Sequence, residues 1–195
     1  VIFGNTVYVG SNDDWLYAIN AETGTLKWKF LTGSNVSSSP TIFNNLVCFG
    51  SSDGNMYALD TATGQRVWNF ETGAMINQSG ASLVNGTLFV GSRDQHLYSI
   101  DALTRSMNWS FATNVSMEAS SPTVVNDIVY IGGWYDIATF QTRGSLYAVN
   151  ANTGSLVWEV LKNTGISSSP YVANGILYIG TDDSYFYAID ATTGT

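Results

Sequence analysis

The side chains able to do chemistry are few, and their spacing limits what they could do. Cys48 is the only cysteine among 195 residues, which excludes an internal disulfide and a cysteine-rich zinc site. It shares a register with Tyr8, Phe89, Tyr130 and Tyr178, so it reads as a small apolar substitute for an aromatic ring. His96 is the only histidine, and one imidazole alone supports neither a metal site nor a serine, histidine and aspartate arrangement. It reads as a solvated turn residue. Asp60, Asp101 and Asp190 look like a carboxylate series, yet Asn20 and Asn150 hold the equivalent positions. A position that takes amide and acid alike caps backbone amides and does not transfer protons. Asp13, Asp14, Asp53, Asp182 and Asp183 fall in equivalent hairpins, where clustered oxygens could bind calcium. Their spacing fits no EF-hand loop, so turn chemistry is the simpler role and calcium the alternative. No residue is assigned as catalytic, cofactor-binding or metal-ligating.

The elements that position these residues come from an internal repeat. Tyr17, Tyr57, Tyr98, Tyr147 and Tyr187 each follow a glycine that ends an apolar run, namely Gly10, Gly50, Gly91, Gly132 and Gly180. Four of the five are followed in register by a tryptophan: Trp28, Trp68, Trp109 and Trp158. The second copy predicts four short strands, Thr41 to Phe43, Leu46 to Gly50, Met56 to Leu59 and Arg66 to Phe70, paired antiparallel. Asp53-Gly54 predicts a two-residue hairpin turn with positive φ at both positions. A lone four-stranded sheet of this size leaves its apolar faces wet, so copies must stack on one another. The expected fold is all-β, a β-propeller of four-stranded antiparallel blades spanning 1–36, 37–77, 78–118, 119–166 and an incomplete 167–195.

The string Ala18, Asn20, Thr23, Gly24 and Trp28 recurs as Ala58, Asp60, Thr63, Gly64 and Trp68, and as Ala148, Asn150, Thr153, Gly154 and Trp158. Ala188, Asp190, Thr193 and Gly194 begin it again. Glycine supplies the positive φ that closes the turn, and an indole plate suits the gap between adjacent sheets. In the third copy Arg105 replaces the glycine, which predicts a turn that is strained by about 1–2 kcal/mol or differently shaped. This string, preceded by Val7-Tyr8-Val9-Gly10-Ser11, resembles the PQQ-type propeller repeat over the whole chain. The resemblance implies that the tryptophans and the turn glycines Gly24, Gly64, Gly154 and Gly194 dock neighbouring blades. It also implies a ring of seven or eight blades, hence that the chain is part of a longer polypeptide. Quinoprotein dehydrogenases of this fold carry a vicinal disulfide, a metal ion and a catalytic aspartate. Cys48 has no adjacent cysteine, which favours the non-enzymatic branch of the family.

Two departures from the repeat bear on function. The fourth copy carries an eight-residue insertion between Gly132 and Tyr147, and its Trp134, Tyr135 and Phe140 are candidate contact residues. Asn35, Asn77, Asn85, Asn108 and Asn114 begin N-x-Ser/Thr sequons and are candidate N-glycosylation sites. Chance alone predicts about four such sequons, so position carries more than number. Asn35, Asn77 and Asn114 lie between consecutive copies.

Seven basic against fifteen acidic residues give a net charge of −8, with no basic cluster to track a phosphate backbone, which argues against nucleic acid. No apolar run reaches the length of a membrane span. The expected function is a non-catalytic, extracellular or cell-surface propeller that binds a protein or glycan, or assembles with itself. A periplasmic assembly scaffold resembling the outer-membrane assembly lipoprotein is the first alternative. A fragment of a quinone-dependent dehydrogenase is the second.

Overall fold

The computed structural model describes residues 1–117, 119–137, 141–162 and 164–195, and of residues 135–137, 141–143, 161 and 162 the backbone only. All regular structure among the described residues is β. Unit 1 comprises β1 (Ile2–Phe3), β2 (Thr6–Gly10), β3 (Trp15–Asn20) and β4 (Leu26–Leu31). Unit 2 comprises β5 (Thr41–Phe43), β6 (Leu46–Gly50), β7 (Asn55–Asp60) and β8 (Arg66–Glu71). Unit 3 comprises β9 (Ser82–Val84), β10 (Thr87–Gly91), β11 (His96–Asp101) and β12 (Met107–Ala112). Unit 4 comprises β13 (Thr123–Val125), β14 (Ile128–Ile137), β15 (Gln141–Asn150) and β16 (Leu156–Lys162), and unit 5 comprises β17 (Tyr171–Ala173), β18 (Ile176–Gly180) and β19 (Phe186–Asp190). Each unit is one antiparallel meander, and the first strands of units 2 to 5 lie side by side. These are the blades of a propeller, and the strands of unit 2 match the expected ones to within a residue at each end.

The apolar cores lie between the sheets. Tyr8, Leu16 and Ala18 of unit 1 pack on Val47, Phe49, Tyr57 and Leu59 of unit 2. Cys48, Met56, Ala58 and Trp68 of unit 2 pack on Leu88, Val90 and Ile100 of unit 3, and the same holds for the two later junctions. A strand with a neighbour on each side must be apolar on both faces. Hence β6 and β10 are buried along almost their whole length, whereas β2 leaves Val9 in solvent. Each leucine or isoleucine withdrawn from water in this way contributes about 1.5–3 kcal/mol.

The indole nitrogens cross the same junctions. Trp28, Trp68, Trp109 and Trp158 donate Nε1–H to the carbonyls of Thr61, Ala102, Ala151 and Ala191, each in the next unit, at 3.0 to 3.2 Å. A β-bulge precedes each tryptophan at the same register, where Ala18, Ala58 or Ala148, or Ser99 in unit 3, pairs with the indole residue and the next pair slips by one. Such bulges kink the strand and re-aim the side chain that follows. The turn glycines present a bare face to the rings. A Cβ on Gly64, Gly154 or Gly194 would sit 2.6, 2.7 or 2.9 Å from Cδ2 of Trp28, Trp109 or Trp158.

Arg105 takes the glycine's place with φ 61°, and its N–H reaches the Asp101 carbonyl at 2.8 Å, as Gly24 reaches Asn20 at 2.9 Å. The turn therefore keeps the shape of the others, and of the two expectations only backbone strain remains. Asn20, Asp60, Asp101, Asn150 and Asp190 each accept two amides of this turn on one oxygen, which is capping, as their mixed identity implied.

Asp53-Gly54 is not the expected two-residue turn. Ser51 N–H bonds the Asn55 carbonyl and Gly54 N–H bonds the Ser51 carbonyl, so the loop has three residues with only Gly54 left-handed, at φ 87°. Two-residue turns with both φ positive sit instead in the first hairpins of units 3, 4 and 5, at Asn85-Gly86, Asn126-Asp127 and Asn174-Gly175.

Trp68 is the most buried of the four indoles, 4 % exposed, beside Cys48 where the other units have an aromatic ring. Trp68→Ala is expected to cost about 3–5 kcal/mol in a urea melt, whereas Leu103→Ala, at a side chain 74 % exposed, should stay within about 0.5 kcal/mol of the parent. Equal losses from the two substitutions would refute the junction as the seat of stability.

Candidate functional site

The two ends of the sheets differ in chemistry. One end carries the first and third turns of each unit and the tryptophan contacts. The other carries the second turns and the connections that lead from one unit into the next. Those connections pack tightly. Val36, Ile76, Met117 and Ile166 lie against Gly10, Gly50, Gly91 and Gly132, where an added Cβ would meet them at 2.2 to 2.4 Å. The repeated glycine at the end of the second strand in units 1 to 4 is thus set by close approach of the connection.

Near the axis the connections are joined by hydroxyls. Ser38 bridges the N–H and carbonyl of Gly50, Gly80 N–H donates to Ser121 Oγ, and Ser121 N–H donates to Ser169 Oγ. Ser82 Oγ and Thr123 Oγ1 donate to the carbonyls of Pro122 and Pro170 in the following units. Where these connections converge they enclose, with Trp134, a depression of about 230 Å³ lined by Asn77, Gln78, Ala119, Trp134 and Ser167.

The insertion in unit 4 supplies Trp134 by lengthening one hairpin: β14 and β15 pair from Ile128↔Asn150 out to Ile137↔Gln141. Trp134 pairs with Gly144 and, on its other edge, exchanges both backbone hydrogen bonds with Ser116, at 2.9 and 3.0 Å. Its side chain is half-buried. The backbone of Tyr135 pairs with Arg143, its side chain lies outside the described residues, and Phe140 lies outside them altogether.

The hairpin aspartates have structural partners. Asp53 accepts from Tyr57 Oη at 2.7 Å, Gly33 N–H at 2.8 Å and Asn55 N–H at 2.9 Å, and Gly33 belongs to the connection arriving from unit 1. Asp94 does the same with Tyr98, Gly73 and His96. Asp13 accepts from Tyr17 and Trp15, and Asp183 from Thr181 and Tyr185. Burial pushes the Asp53 carboxyl upward, but the hydrogen bonds from Tyr57, Gly33 and Asn55 outweigh it and hold the group below its ordinary value. Burial, then the bond to Asp94, pushes the Tyr98 phenol up to about 12. Among the described residues no three His, Cys, Asp or Glu side chains converge as metal ligands would. Reading the hairpins singly missed Asp94 and the inter-unit role of Asp53. The available signal was an aspartate four residues before the repeated tyrosine, at Asp13, Asp53, Asp94 and Asp183.

His96 begins β11, with Nδ1 3.0 Å from the Asp94 carbonyl. Cys48 is fully buried, and burial pushes its thiol up to about 12. Of the sequon asparagines, Asn35, Asn85, Asn108 and Asn114 are exposed. Asn77 is half-buried, its carbonyl taken by the hydroxyls of Ser37 and Ser52, both at 2.9 Å. Ser79, which completes its sequon, is wholly buried.

A family model described as the outer membrane protein assembly factor BamB matches residues 1–90 and 94–195. The chain belongs to this family. Solved structures similar to this BamB-family chain include BamB from Moraxella catarrhalis, at 20 % identity and a TM-score of 0.76, covering 100 % of this chain and 58 % of that one. Quinohemoprotein alcohol dehydrogenases from Pseudomonas putida HK5 and Comamonas testosteroni align over 100 % of this chain, at 19 % and 15 % identity and TM-scores of 0.78 and 0.81. The chain spans 40 % and 41 % of those two proteins. At such identities these likenesses establish the propeller fold. No curated protein matches the chain in sequence.

Two solution tests follow from the geometry. Asp53 is depressed in the fold, so its contribution is present above the unfolded carboxylate value near about 4 and fades as pH falls through the folded value. Tyr57 is raised, by burial first and then by Asp53, so its contribution is present below about 10 and fades as pH rises. Stability should therefore be level between these limits, and Asp53→Asn should flatten the acid limb and lower the level by about 1–3 kcal/mol. An unchanged acid limb in that variant would contradict the assignment. Cys48 should resist maleimide at pH 8 in native protein and react once urea is added; labelling at equal rates would contradict its burial.

Proposed function

We propose that this BamB-family chain is a non-catalytic propeller scaffold of the cell envelope or cell surface. Its working face is the end that carries the second turns, the inter-unit connections and the lengthened hairpin of unit 4. Family membership supports an assembly role, and the likeness to a solved BamB supports an envelope setting, on its periplasmic side. An extracellular, glycosylated surface protein remains the wider form of the same reading, with Asn35, Asn85, Asn108 and Asn114 as the exposed acceptors and a protein or glycan as partner.

The observation that carries the non-catalytic reading is what the aspartates do. Asp53, Asp60, Asp94, Asp101 and Asp190 each accept two or more hydrogen bonds from turn amides or tyrosines. Carboxylates held this way fix the turns and the junctions, and moving a proton through one would undo its turn. Tryptophan docking then serves rigidity. Indoles clamp the sheets at one end, and at the other the packed connections carry the second turns, whose tips can vary on a fixed frame. The reading requires no cofactor and no calcium.

A photo-crosslinking residue at position 134, in protein exported to a bacterial periplasm, should give discrete adducts with envelope proteins, and the same residue at position 103, on the opposite end, should give few. Added pyrroloquinoline quinone with calcium should leave the absorbance and melting temperature of the purified chain unchanged. Saturable quinone binding with alcohol-dependent dye reduction would overturn the scaffold reading in favour of a dehydrogenase fragment.

A further inference from the structure

The end of the sheets that carries the tryptophan contacts holds a larger cavity, of about 440 Å³, between units 4 and 5. Its apolar lining includes Val125, Ile128, Tyr130, Val157 and Val172. Asn126, Asn174 and Thr192 form its polar rim, and among the described residues no charged side chain lines it.

The repeat shows why the cavity exists. The repeat makes the last residue of one unit's first strand and the second turn residue of the next unit's first hairpin an equivalent pair at every junction. Between units 2 and 3 these are Phe43 and Gly86, and the Phe43 ring lies 3.6 and 3.7 Å from where a Gly86 Cβ would be. Between units 3 and 4 the pair is Val84 and Asp127, and between units 1 and 2 it is Phe3 and Asn45. Each of those three pairs carries more side-chain atoms than a valine beside a glycine. Between units 4 and 5 the pair is Val125 and Gly175, both small, and nothing lies within 4 Å of the Gly175 Cβ position. The space that the protein fills with its own phenyl ring at one junction stands open at another.

We propose that this notch is a docking site for an aromatic side chain, of phenylalanine type, presented by a partner polypeptide. The inference deepens the scaffold reading and rests on it for the polypeptide nature of the occupant. Three observations select the occupant. A phenylalanine ring already occupies the equivalent place against Gly86. The lining is uncharged, so a neutral ring suits it better than an ionic group, whose burial would be unfavourable. The volume exceeds one ring, and a rim of amide and hydroxyl groups can hydrogen-bond a peptide backbone on either side of that ring, whereas a free aromatic molecule would leave the rim unused. Aromatic anchors seated in well-formed pockets commonly carry most of the affinity of such contacts.

The test uses the chain with labelled valine and isoleucine methyl groups and three probes: N-acetyl-phenylalanine methylamide, N-acetyl-alanine methylamide and toluene. The phenylalanine probe should give saturable shifts at Val125, Ile128, Val157 and Val172, and the alanine probe should bind about ten-fold or more weakly for want of the ring. Val125→Phe, which rebuilds the Phe43 arrangement, should abolish the shifts. Gly175→Asp, which copies the Asn126-Asp127 turn at a tolerated positive φ, should do the same if Val125→Phe does not fold. Absent shifts, equal binding of the alanine probe, or shifts that survive in a folded blocking variant would overturn the proposal. Binding of toluene as tight as that of the phenylalanine probe would overturn the peptide assignment. None of these outcomes depends on crosslinks at position 134 or on quinone binding, so failure of the notch and failure of the scaffold reading are separable.

Discussion

The interaction on which the molecule depends is the burial of one sheet's face against the next. All four apolar clusters join two consecutive units, and the large buried side chains of a unit are divided between its two neighbours. A single unit therefore has no core to fold around, and its stability is a property of junctions. This explains why the middle units are buried through both faces while the outer faces of units 1 and 5 hold Ile2, Tyr171 and Phe186 in solvent. It also explains why the sheet pairs are pinned by directional bonds as well as by area. Apolar contact alone would let two flat faces slide, whereas an indole N–H aimed at one carbonyl fixes their register.

Two sets of pins act at opposite ends of the first two junctions. At one end the bulged fourth strand sends its tryptophan forward to the next unit's turn. At the other end Asp53 and Asp94 reach back to Gly33 and Gly73 in the preceding connection. The same aspartates hold the repeated tyrosines, so the second turn, the third strand and the connection move as one body. Such double fastening resists both twisting and splaying of the blades, and it leaves the frame insensitive to what its free loops carry.

Most of this architecture was legible in the sequence because it is periodic. Tyrosine, glycine and tryptophan recur in register, and strand lengths follow from alternation between turn residues. Contacts between units were less legible. The link from Asp53 to Gly33 joins a side chain to a backbone amide twenty residues earlier, and a backbone amide leaves no mark in sequence. The loop at Asp53-Gly54 was misread because that dipeptide suits both two- and three-residue hairpins, and the difference lies in which pair closes the loop, Ser51 with Asn55. Arg105 shows the converse. Its unfavourable φ was foreseeable, but that the turn would keep its shape depended on the Asp101 and Ala102 contacts around it. As for the candidate site, the insertion announced itself by length, whereas the cover over Trp134 came from a bridge to Ser116 that no spacing encodes.

A repeat protein offers an internal standard that other folds lack, because each unit shows what the others could have been. Function is best sought where a unit departs from that standard without structural need. Cys48 departs, but Trp68 sinks beside it and the junction closes. Arg105 departs, but its turn keeps the common form. The long hairpin of unit 4 and the paired small residues Val125 and Gly175 are different, since one adds surface beyond the strand length the other units share and the other leaves a space that a neighbouring junction fills. Both lie in or beside unit 4, at opposite ends of the same sheet. Rigid sheets joined by pinned junctions hold those two features at a fixed separation, which is what a scaffold needs in order to engage two partners, or two parts of one, at once.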